Sequence, residues 1–434
     1  RLDRSPVVVV SAMAGVTDDL LRIASFARER RFDDAASIID AVRQRHLTAA
    51  RELLNQSAER SFYLAAQDIQ ESLKELEGLA LSAATLGELT PRTQDAIASF
   101  GERLSSALVA AALDARGVAV ELLDSRDFIV TDERFTSATP DFPETEARVR
   151  NVFLPVINSG VVPVAQGFIG STKEGVTTTI GRGGSDYSAA IIGAALGAEA
   201  IEIWTDVDGL MTADPRVVPQ ALRIRVISFA EASELSYFGA KVLHPSTVLP
   251  AVERDIPIHI FNTRNPDCEG TLIVAAPKHS RNVIKSIAFK RGVTIVNVAS
   301  TRMLLAYGFL RTIFEVFERH QTSIDVVTTS EVSVSMTLDN ADQLEAIKRD
   351  LGGIGEVSVE RDKAIVCVVG DNLKFTPGVA GRLFRAIEYT NVNMISQGAS
   401  EINLTFVIDD GDAEQVVRSL HREFFSEADS EVFA

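Results

Sequence analysis

The chain has 434 residues, of which 46% are hydrophobic and 24% are charged, the composition of a folded globular protein. At roughly 150 residues per domain, this length predicts about three domains. The 43 Lys and Arg residues face 60 Asp and Glu residues, and the net charge of −17 argues against nucleic acid or an anionic membrane as the main partner. Two cysteines, Cys268 and Cys367, are too few for a disulfide framework or a zinc ribbon.

Membrane and secretion signals are weak in this sequence. The longest uncharged apolar stretch, residues 189–198, is well below the roughly 18 residues that a membrane span needs. The first residues, Arg-Leu-Asp-Arg, lead into a valine-rich strand rather than into the apolar helix of a signal peptide. We therefore expect no membrane partner and a cytoplasmic location.

The first two-thirds of the chain alternate short apolar runs with amphipathic helical patterns. Strands are predicted at residues 6–11, 117–123, 161–167 and 200–204, and helices at 17–30, 33–76, 91–113, 144–154 and 185–196. We expect Pro155 to end the fourth of these helices, because proline lacks a backbone N–H. The alternation predicts an α/β domain with a mostly parallel sheet and helices on both faces.

The last third looks duplicated. After a polar, proline-containing stretch at residues 276–285, a helix, two strands and a second helix occur twice, at 309–319, 324–327, 332–338 and 342–350, and again at 379–389, 392–395, 402–407 and 413–424. Each copy reads as a ferredoxin-like βαββαβ module. The predicted domains are therefore 1–276, 283–358 and 359–434.

The most informative segment is Thr-Thr-Thr-Ile-Gly-Arg-Gly-Gly-Ser-Asp at residues 177–186, which opens a helix. Its glycines let the backbone approach a ligand, and the start of a helix favours an anion. Arg182 adds a forked cation for phosphate or carboxylate, and Asp186 is either a helix-start carboxylate or a ligand for an amine. The alternative is an ordinary glycine-rich turn capped by Ser185. Neither the Walker A motif nor the dinucleotide Gly-x-Gly-x-x-Gly motif is present.

Four further candidate residues lie in loops or on helices. Thr17 follows the first strand and is either a ligand hydroxyl or a helix cap. Glu102 is either a solvated carboxylate on a helix or a partner for an ammonium group. Asp206 follows the strand 200–204, where ligands bind in open α/β sheets, although a solvated turn is the plainer interpretation. Lys241 is either a surface residue or a charge that faces a phosphate.

Taken together, these segments resemble the aspartate kinase family, which has the amino-acid-kinase fold. The matching strings are Val-Val-Ser-Ala-Met-Ala-Gly-Val-Thr at 9–17, Ser-Phe-Gly-Glu-Arg-Leu at 99–104, Gly-Arg-Gly-Gly-Ser-Asp at 181–186, Trp-Thr-Asp-Val-Asp-Gly at 204–209, Asp-Pro-Arg at 214–216 and Phe-Gly-Ala-Lys-Val-Leu-His-Pro at 238–245. They occur in family order across the whole first domain. The duplicated region resembles a tandem pair of ACT modules, which bind amino acids at their interfaces.

The resemblance implies transfer of the γ-phosphoryl group of MgATP to the β-carboxylate of L-aspartate, the first step towards lysine, threonine and methionine. It places Thr17, Glu102, Arg182 and Asp186 on aspartate and assigns catalytic roles to Arg182, Asp186 and Lys241. It places Thr205, Asp206, Met211, Arg216 and Lys241 on the nucleotide. Mg²⁺ is expected to bind mainly through phosphates and water.

The resemblance also implies regulation. The segments that look like the effector site of lysine-sensitive aspartate kinases contain Met303, Gly308, Phe309, Leu310, Ser323, Ile324, Asp325, Ser330 and Glu331. Asp325 and Glu331 suit an ammonium group, unless Asp325 merely ends a loop and Glu331 lies on a solvated hairpin. Lysine is the expected inhibitor, with threonine second, and ACT modules that pair across subunits imply at least a homodimer.

Two departures from the family pattern leave alternatives open. The family begins with a strand that carries Lys-Phe-Gly-Gly, and this chain has no such motif, so we expect an N-terminally shortened chain. Met211 stands where relatives often carry a tyrosine near the nucleotide base, which puts that contact in doubt. The alternatives are a kinase of the same fold that acts on glutamate, carbamate or a nucleoside monophosphate, and a catalytically impaired or inactive regulatory subunit that binds amino acids.

Overall fold

The computed structural model describes residues 5–54, 59–181, 183–238, 248–277, 282–303 and 307–434. They form two compact units. The first unit comprises Arg1–Ile201 and Ser246–Pro257, and the second comprises Glu202–Pro245 and Ile258–Ala434.

Helices and strands alternate through most of the chain. The helices are α1 (Val16–Arg28), α2 (Phe32–Leu53), α3 (Glu59–Leu86), α4 (Pro91–Ala98), α5 (Phe100–Asp114), α6 (Phe142–Asn158), α7 (Gly184–Leu196), α8 (Phe229–Tyr237), α9 (Leu249–Val252), α10 (Phe309–Arg319), α11 (Leu344–Leu351), α12 (Val379–Ala386) and α13 (Ala413–Phe425). The strands are β1 (Val8–Val10), β2 (Val120–Leu123), β3 (Val162–Gln166), β4 (Ile169–Ser171), β5 (Thr177–Thr179), β6 (Ile201–Thr205), β7 (Val226–Ser228), β8 (Ile258–Asn262), β9 (Thr271–Val274), β10 (Ile284–Ala299), β11 (Val327–Thr329), β12 (Ser333–Leu338), β13 (Glu356–Gly370), β14 (Met394–Gln397) and β15 (Asn403–Asp409).

The first unit contains a parallel sheet with the strand order β1-β3-β2. The central strand β3 is almost wholly buried, as its apolar sequence predicts. Helices α1 to α5 form a hydrophobic core of their own, because their apolar residues recur every three or four positions and face one another. In α2, for example, Ala35, Ile39 and Val42 are all buried. The predicted α/β class with a parallel sheet is confirmed.

Helix α6 continues through Pro155 to Asn158, so the prediction that proline ends this helix is wrong. The missing N–H of Pro155 leaves the carbonyl of Asn151 without its helical partner. Both residues lie on the exposed face of α6, where water can solvate that carbonyl. The Pro155 carbonyl still accepts a hydrogen bond from the N–H of Ser159 (3.2 Å), which completes the last turn.

One segment, Pro91–Asp114, is long and apolar enough to cross a membrane by length and composition, among the residues that the structure describes. Of its most apolar window, 67% is buried inside the protein, as in the core helix of a globular domain. The segment is divided at Ser99 between α4 and α5.

The described residues of the second unit form two sheets. The smaller has the strand order β6-β8-β9-β7, and the larger has the order β11-β12-β10-β13-β15-β14. All neighbouring strands of the larger sheet are antiparallel. It carries both copies of the duplicated pattern, with α10 and α11 in the first copy and α12 and α13 in the second.

The long strands β10 and β13 are shared between the two modules. Residues 293–299 of β10 pair with residues 356–363 of β13, whereas 284–290 pair with 365–370. The first module has the predicted βαββαβ order. The second ends in α13, and no strand of the sheet follows within residues 426–434, so its fourth strand is the first half of β10. The second module therefore has its full βαββαβ set only with a strand from outside residues 359–434, a sharing that the sequence pattern left open.

Candidate active site

A cavity of about 360 Å³ lies in the first unit beyond the carboxyl ends of β1 and β3. This is the edge where ligands bind in parallel α/β sheets. The lining residues are Ser11, Ala12, Thr17, Glu102, Phe168, Gly181, Gly183, Gly184, Ser185 and Asp186. Three parts of the chain that are distant in sequence therefore meet at one site: residues 11–17, Glu102, and Gly181 with residues 183–186.

Glu102 is the most deeply buried charged group of this cavity, with 3% of its surface exposed. Its Oε1 atom accepts a hydrogen bond from the N–H of Ala12 (3.1 Å), and no described residue donates a hydrogen bond to its buried Oε2 atom. Burial raises the pKa of Glu102 to about 7, and the Ala12 N–H opposes this rise. A solvated carboxylate is therefore excluded, and Oε2 can accept a hydrogen bond from a ligand.

Asp186 lies in the first turn of α7 and also lines the cavity. Its carboxylate is half-buried, and no described residue donates a hydrogen bond to it. Burial raises its pKa to about 6. The cavity thus contains two desolvated carboxylates without a cationic partner among the described residues, an arrangement that suits a ligand with an ammonium group.

The glycine-rich segment is shaped by its backbone. Gly181 and Gly183 have φ angles of 81° and 71°, which side chains other than glycine rarely adopt. Gly183 caps α7 without a side-chain hydrogen bond, and Ser185 lies inside the helix. The alternative of an ordinary turn capped by Ser185 is therefore wrong. A Cβ atom on Gly167 would lie 2.6 Å from that of Ser185, so glycine permits this close contact.

Thr17 is the second residue of α1, and the cap of this helix is Gly15, which has a φ angle of 79° and no side-chain hydrogen bond. The alternative that Thr17 caps the helix is therefore wrong. Its side chain is half-buried at the cavity wall. Thr17 remains a candidate hydroxyl donor.

Asp95 positions the strand that leads into the glycine-rich segment, and sequence reasoning missed it. Its carboxylate is 1% exposed and accepts hydrogen bonds from the backbone N–H groups of Thr136 (2.9 Å) and Thr179 (3.0 Å) and from the Thr179 hydroxyl (2.7 Å). Burial raises the pKa of Asp95, and these hydrogen bonds oppose the rise. In the sequence, Asp95 stands out only as the single charged residue of the stretch 93–101, and this could have marked it as a candidate.

Four candidate nucleotide residues have described positions, and all of them lie in the second unit: Thr205, Asp206, Met211 and Arg216. Thr205 ends β6, Asp206 is exposed, and the Met211 carbonyl accepts a hydrogen bond from the Ser286 hydroxyl (2.8 Å). Arg216 is 87% exposed and forms a bidentate ion pair with Asp214. Arg182 and Lys241 lie outside the described residues.

Asp208 organises the loop that contains Asp206. Its Oδ1 atom accepts hydrogen bonds from the side-chain amides of Asn262 (2.8 Å) and Asn265 (3.2 Å). Gly209 follows with a φ angle of 128°, and a Cβ atom there would lie 2.4 Å from the Thr271 hydroxyl oxygen. The Asp-Gly pair is therefore a structural turn that holds the residues before it at the end of β6.

The candidate effector residues lie in the first module. Gly308 caps α10 with a φ angle of 79°, and Met303, Phe309 and Ile324 pack against the module core. Four other candidate effector residues are exposed to solvent: Leu310, Ser323, Ser330 and Glu331.

Glu331 lies in the turn between β11 and β12, as expected for a solvated hairpin residue. The Asp325 side chain is 3% exposed and accepts a hydrogen bond from the Tyr237 hydroxyl (2.8 Å), so Asp325 does more than end a loop.

Comparison with known proteins finds a family match in each part of the chain. The amino acid kinase family matches residues 1–262, and the ACT domain matches residues 366–424. Lysine-sensitive aspartokinase 3 of Escherichia coli is 38% identical over 428 residues, which cover 96% of this chain and 92% of that protein. Chloroplastic aspartokinase 1 of Arabidopsis thaliana is 37% identical over 445 residues, which cover 98% and 76%.

Solved structures of the E. coli enzyme superpose on nearly the whole chain. Aspartokinase III in complex with aspartate and ADP (R-state) matches with a TM-score of 0.81 and 38% identity, covering 97% of this chain and 93% of that one. The complex with lysine and aspartate (T-state) has the same identity and coverage and a TM-score of 0.79.

The fold and the cavity thus define an amino acid kinase followed by an ACT region. Its relatives narrow this class further, because they match along nearly the full chain at more than 30% identity. The chain belongs to the aspartokinase family, and it is an enzyme of that type.

Proposed function

We propose that the protein transfers the γ-phosphoryl group of MgATP to the β-carboxylate of L-aspartate, giving 4-phospho-L-aspartate and ADP. The observation that carries the proposal is the pair of desolvated carboxylates, Glu102 and Asp186, in a cavity that is open to a small zwitterion. The family membership and the aspartate and ADP in the matching E. coli structure support the same substrates.

In this proposal the amino acid is held by its charged groups. Oε2 of Glu102 accepts a hydrogen bond from the ammonium group of aspartate, while the Ala12 N–H fixes the other carboxylate oxygen. Asp186 and Thr17 assist from the helix starts that face the cavity, and Arg182 binds the α-carboxylate. Such fixation supplies the positioning on which phosphoryl transfer depends.

The chemical step is an in-line displacement. An oxygen of the β-carboxylate forms a bond to the γ-phosphorus while the bond to the bridging oxygen of ADP breaks. We place Thr205, Asp206, Met211 and Arg216 on the nucleotide, and we assign catalytic charge stabilisation to Arg182 and Lys241. The kinase domain in this proposal is 1–276, followed by regulatory modules at 283–358 and 359–434.

Mg²⁺ enters the site as part of the substrate MgATP. No group of three or more His, Cys, Asp or Glu side chains within the described ranges is placed to hold a metal ion. In this proposal the metal is bound mainly by phosphates and water, as Mg²⁺ prefers.

We further propose that lysine inhibits the enzyme at the first ACT module. Its carboxylate binds the free N–H groups at the start of α10, next to Gly308. Its ammonium groups bind Asp325 and Glu331. The remaining contacts come from Met303, Phe309, Leu310, Ser323, Ile324 and Ser330. The E. coli structure in complex with lysine supports this effector class.

A homodimer formed through the ACT modules completes the proposal. Leu310 and Phe314 on α10 are each 39% exposed, and Val332 on the following hairpin is 42% exposed. These apolar side chains would be covered if a second copy of the chain packed on the first module. We place the protein in the cytoplasm.

The test is aspartate-dependent ADP release from MgATP by the protein of 434 residues, with hydroxylamine trapping of the acyl phosphate. We expect turnover with aspartate and none with glutamate, and we expect lysine to suppress it. A protein that shows no turnover but still binds lysine in calorimetry would instead be a regulatory subunit. No contact in the described cavity favours that alternative. Turnover with glutamate but not aspartate would identify a different amino acid kinase.

A further inference from the structure

Thr212 closes the base of a loop in the second unit. Its N–H donates to the Leu222 carbonyl, and its hydroxyl oxygen accepts a hydrogen bond from the Leu222 N–H, each at 2.8 Å. The Thr212 carbonyl accepts a hydrogen bond from the N–H of Ile287 in β10 (2.9 Å), and Thr212 is wholly buried. We call this segment the 212–222 loop, and it carries the exposed Arg216.

Helix α13 of the second module supplies the remaining partner of Thr212. The Thr212 hydroxyl oxygen and Nε2 of His421 lie 2.9 Å apart, and His421 is 4% exposed. Burial lowers the pKa of His421, which favours the neutral ring. Because the hydroxyl oxygen already accepts the Leu222 N–H, its own proton is available for the ring nitrogen. Every polar atom of Thr212 is therefore paired.

The His421 ring is itself held in place by aromatic side chains. It stacks on the ring of Phe425, one turn further along α13, with the ring centroids 4.8 Å apart and an angle of 29° between the planes. Phe425 in turn packs edge-to-face against Phe433, with centroids 5.5 Å apart. Both phenylalanines are buried. Nε2 of His421 therefore meets Thr212 from a packed part of the second module.

A second residue of α13 contacts the 212–222 loop further along. Nε of Arg418 donates a hydrogen bond to the Val217 carbonyl at 3.0 Å. Arg418 and His421 are three residues apart, so they project from the same side of the helix. Helix α13 therefore holds the loop both before and after the residues Asp-Pro-Arg at 214–216.

These hydrogen bonds join two parts of the chain that match different families. The 212–222 loop lies within residues 1–262, which match the amino acid kinase family, and His421 lies within residues 366–424, which match the ACT domain. Without the hydrogen bond from His421, the loop can leave the arrangement in which it is held here. Only the fraction of molecules that keeps the binding arrangement takes up a ligand, so the apparent affinity falls with that fraction.

We propose that His421 is a positioning residue for MgATP: its hydrogen bond with Thr212 holds the 212–222 loop, together with Met211 and Arg216, in the arrangement that binds the nucleotide. A helix of the second ACT module is thus part of the support of the nucleotide site. The inference rests on the proposed function, because it takes the nucleotide roles of Met211 and Arg216 from there.

The first test compares Thr212→Val with Thr212→Ser in the protein of 434 residues. Valine keeps the branched shape and removes the hydroxyl, whereas serine keeps the hydroxyl. For Thr212→Val we expect the KM for MgATP to rise about 3- to 10-fold, the effect of one hydrogen bond, with kcat and the KM for aspartate within twofold of wild type. Thr212→Ser should match wild type within twofold. Thr85→Val is the matched control, because its exposed hydroxyl donates to a carbonyl of its own helix, α3.

The second test replaces the histidine. His421→Leu should raise the KM for MgATP as Thr212→Val does, and His421→Gln should stay near wild type, because its amide can take the place of Nε2. The double variant Thr212→Val with His421→Leu should lie within twofold of the single variants, since each removes the same hydrogen bond. Single effects that multiply in the double variant would overturn the inference. So would a KM for MgATP that His421→Leu leaves unchanged, or a loss confined to kcat.

A third measurement needs no variant and so does not depend on how the variants fold. Hydrogen–deuterium exchange of the wild-type protein should slow in the 212–222 loop and in α13 when MgADP is added, with no change in α11, because the loop and α13 share these hydrogen bonds. Slower exchange in the loop alone contradicts the role of His421. A loop that MgADP leaves unchanged, or a protein that does not bind MgADP, contradicts the proposed function itself.

Discussion

Glu102 carries most of the substrate recognition that we assign to this cavity. Its carboxylate is buried, and one oxygen is satisfied by a backbone N–H while the other accepts no hydrogen bond from a described residue. An acceptor left in this state is costly, and a ligand that donates to it recovers that cost on binding. The same environment explains why the pKa of Glu102 is raised to about 7.

Replacing Glu102 with glutamine keeps the side-chain size and removes the charge. We expect kcat/KM for aspartate to fall about 10- to 150-fold, since a hydrogen bond to a charged group contributes roughly 1.5–3 kcal/mol. Steady-state kinetics at saturating MgATP measures this change. Glu75→Gln is the matched control, because Glu75 pairs with Arg103 at the surface and should change kcat/KM less than twofold. Equal losses in both variants would contradict the assignment.

The pH dependence of aspartate use follows from the two raised pKa values. Burial favours the protonated form, so Glu102 is neutral below about pH 7 and Asp186 below about pH 6 in the free protein. Only the ionised carboxylates attract an ammonium group, so kcat/KM for aspartate should rise with pH through this range and level off above it. Glu102→Gln should lose the step near pH 7, and a flat wild-type profile between pH 5.5 and pH 8 would be inconsistent with the site.

At the scale of elements, the cavity depends on how closely the segment after β1 approaches α5. A Cβ atom on Gly101 would lie 2.8 Å from that of Ala12, so glycine is needed where the two segments touch. The hydroxyl of Ser105, one turn further along α5, donates to the Ser11 carbonyl at 2.6 Å. Together these contacts hold the Ala12 N–H against Glu102.

Gly101→Ala should therefore disturb both stability and aspartate binding. We expect a loss of about 1–3 kcal/mol in the free energy of unfolding, because the added methyl group overpacks the contact with Ala12. The KM for aspartate should rise as the Ala12 N–H moves. Denaturant unfolding and steady-state kinetics measure the two effects.

Gly78→Ala in α3 is the control for this variant, since a Cβ atom there meets nothing within 4 Å. It should stabilise the protein by about 0.5–1 kcal/mol, because alanine is the better helix former, and leave the KM for aspartate unchanged. A Gly101→Ala variant that behaves like Gly78→Ala would show that the contact does not constrain the site.

At the scale of the whole molecule, the regulatory region is one sheet rather than two independent modules. Strands β10 and β13 each run through both modules, and the second module takes its fourth strand from the first half of β10. The second module alone would leave one edge of β13 unpaired and would expose apolar residues such as Val366 and Val368, which are fully buried in the sheet.

A fragment of residues 283–434 should therefore unfold cooperatively, whereas 359–434 should not. Thermal unfolding followed by circular dichroism measures the difference, because a cooperative transition requires a closed core. The smaller fragment lacks β10, although it retains both of its own helices. A sharp transition for 359–434 would show that the second module does not need the shared strand.

Local patterns determined much of this protein. The period of the apolar residues located most helices and strands, and the glycine-rich segment, Thr17 and Glu102 were recognised as candidate site residues from their strings. The burial of Glu102 could not be predicted, because α5 is apolar on several sides and only its packing against the residues after β1 removes that carboxylate from water. Asp95 was missed for the same reason, since its partners lie 41 and 84 residues away.

The sequence by itself determined the family, the order of the elements and the residue types at the site, because these depend on local composition and spacing. The tertiary structure alone decided which side chains lost their water, which strands are shared and which helix packs on the regulatory sheet. Those features depend on contacts between distant parts of the chain, such as Glu102 with Ala12 and Tyr237 with Asp325. Desolvation and strand pairing exist only once these parts have packed together.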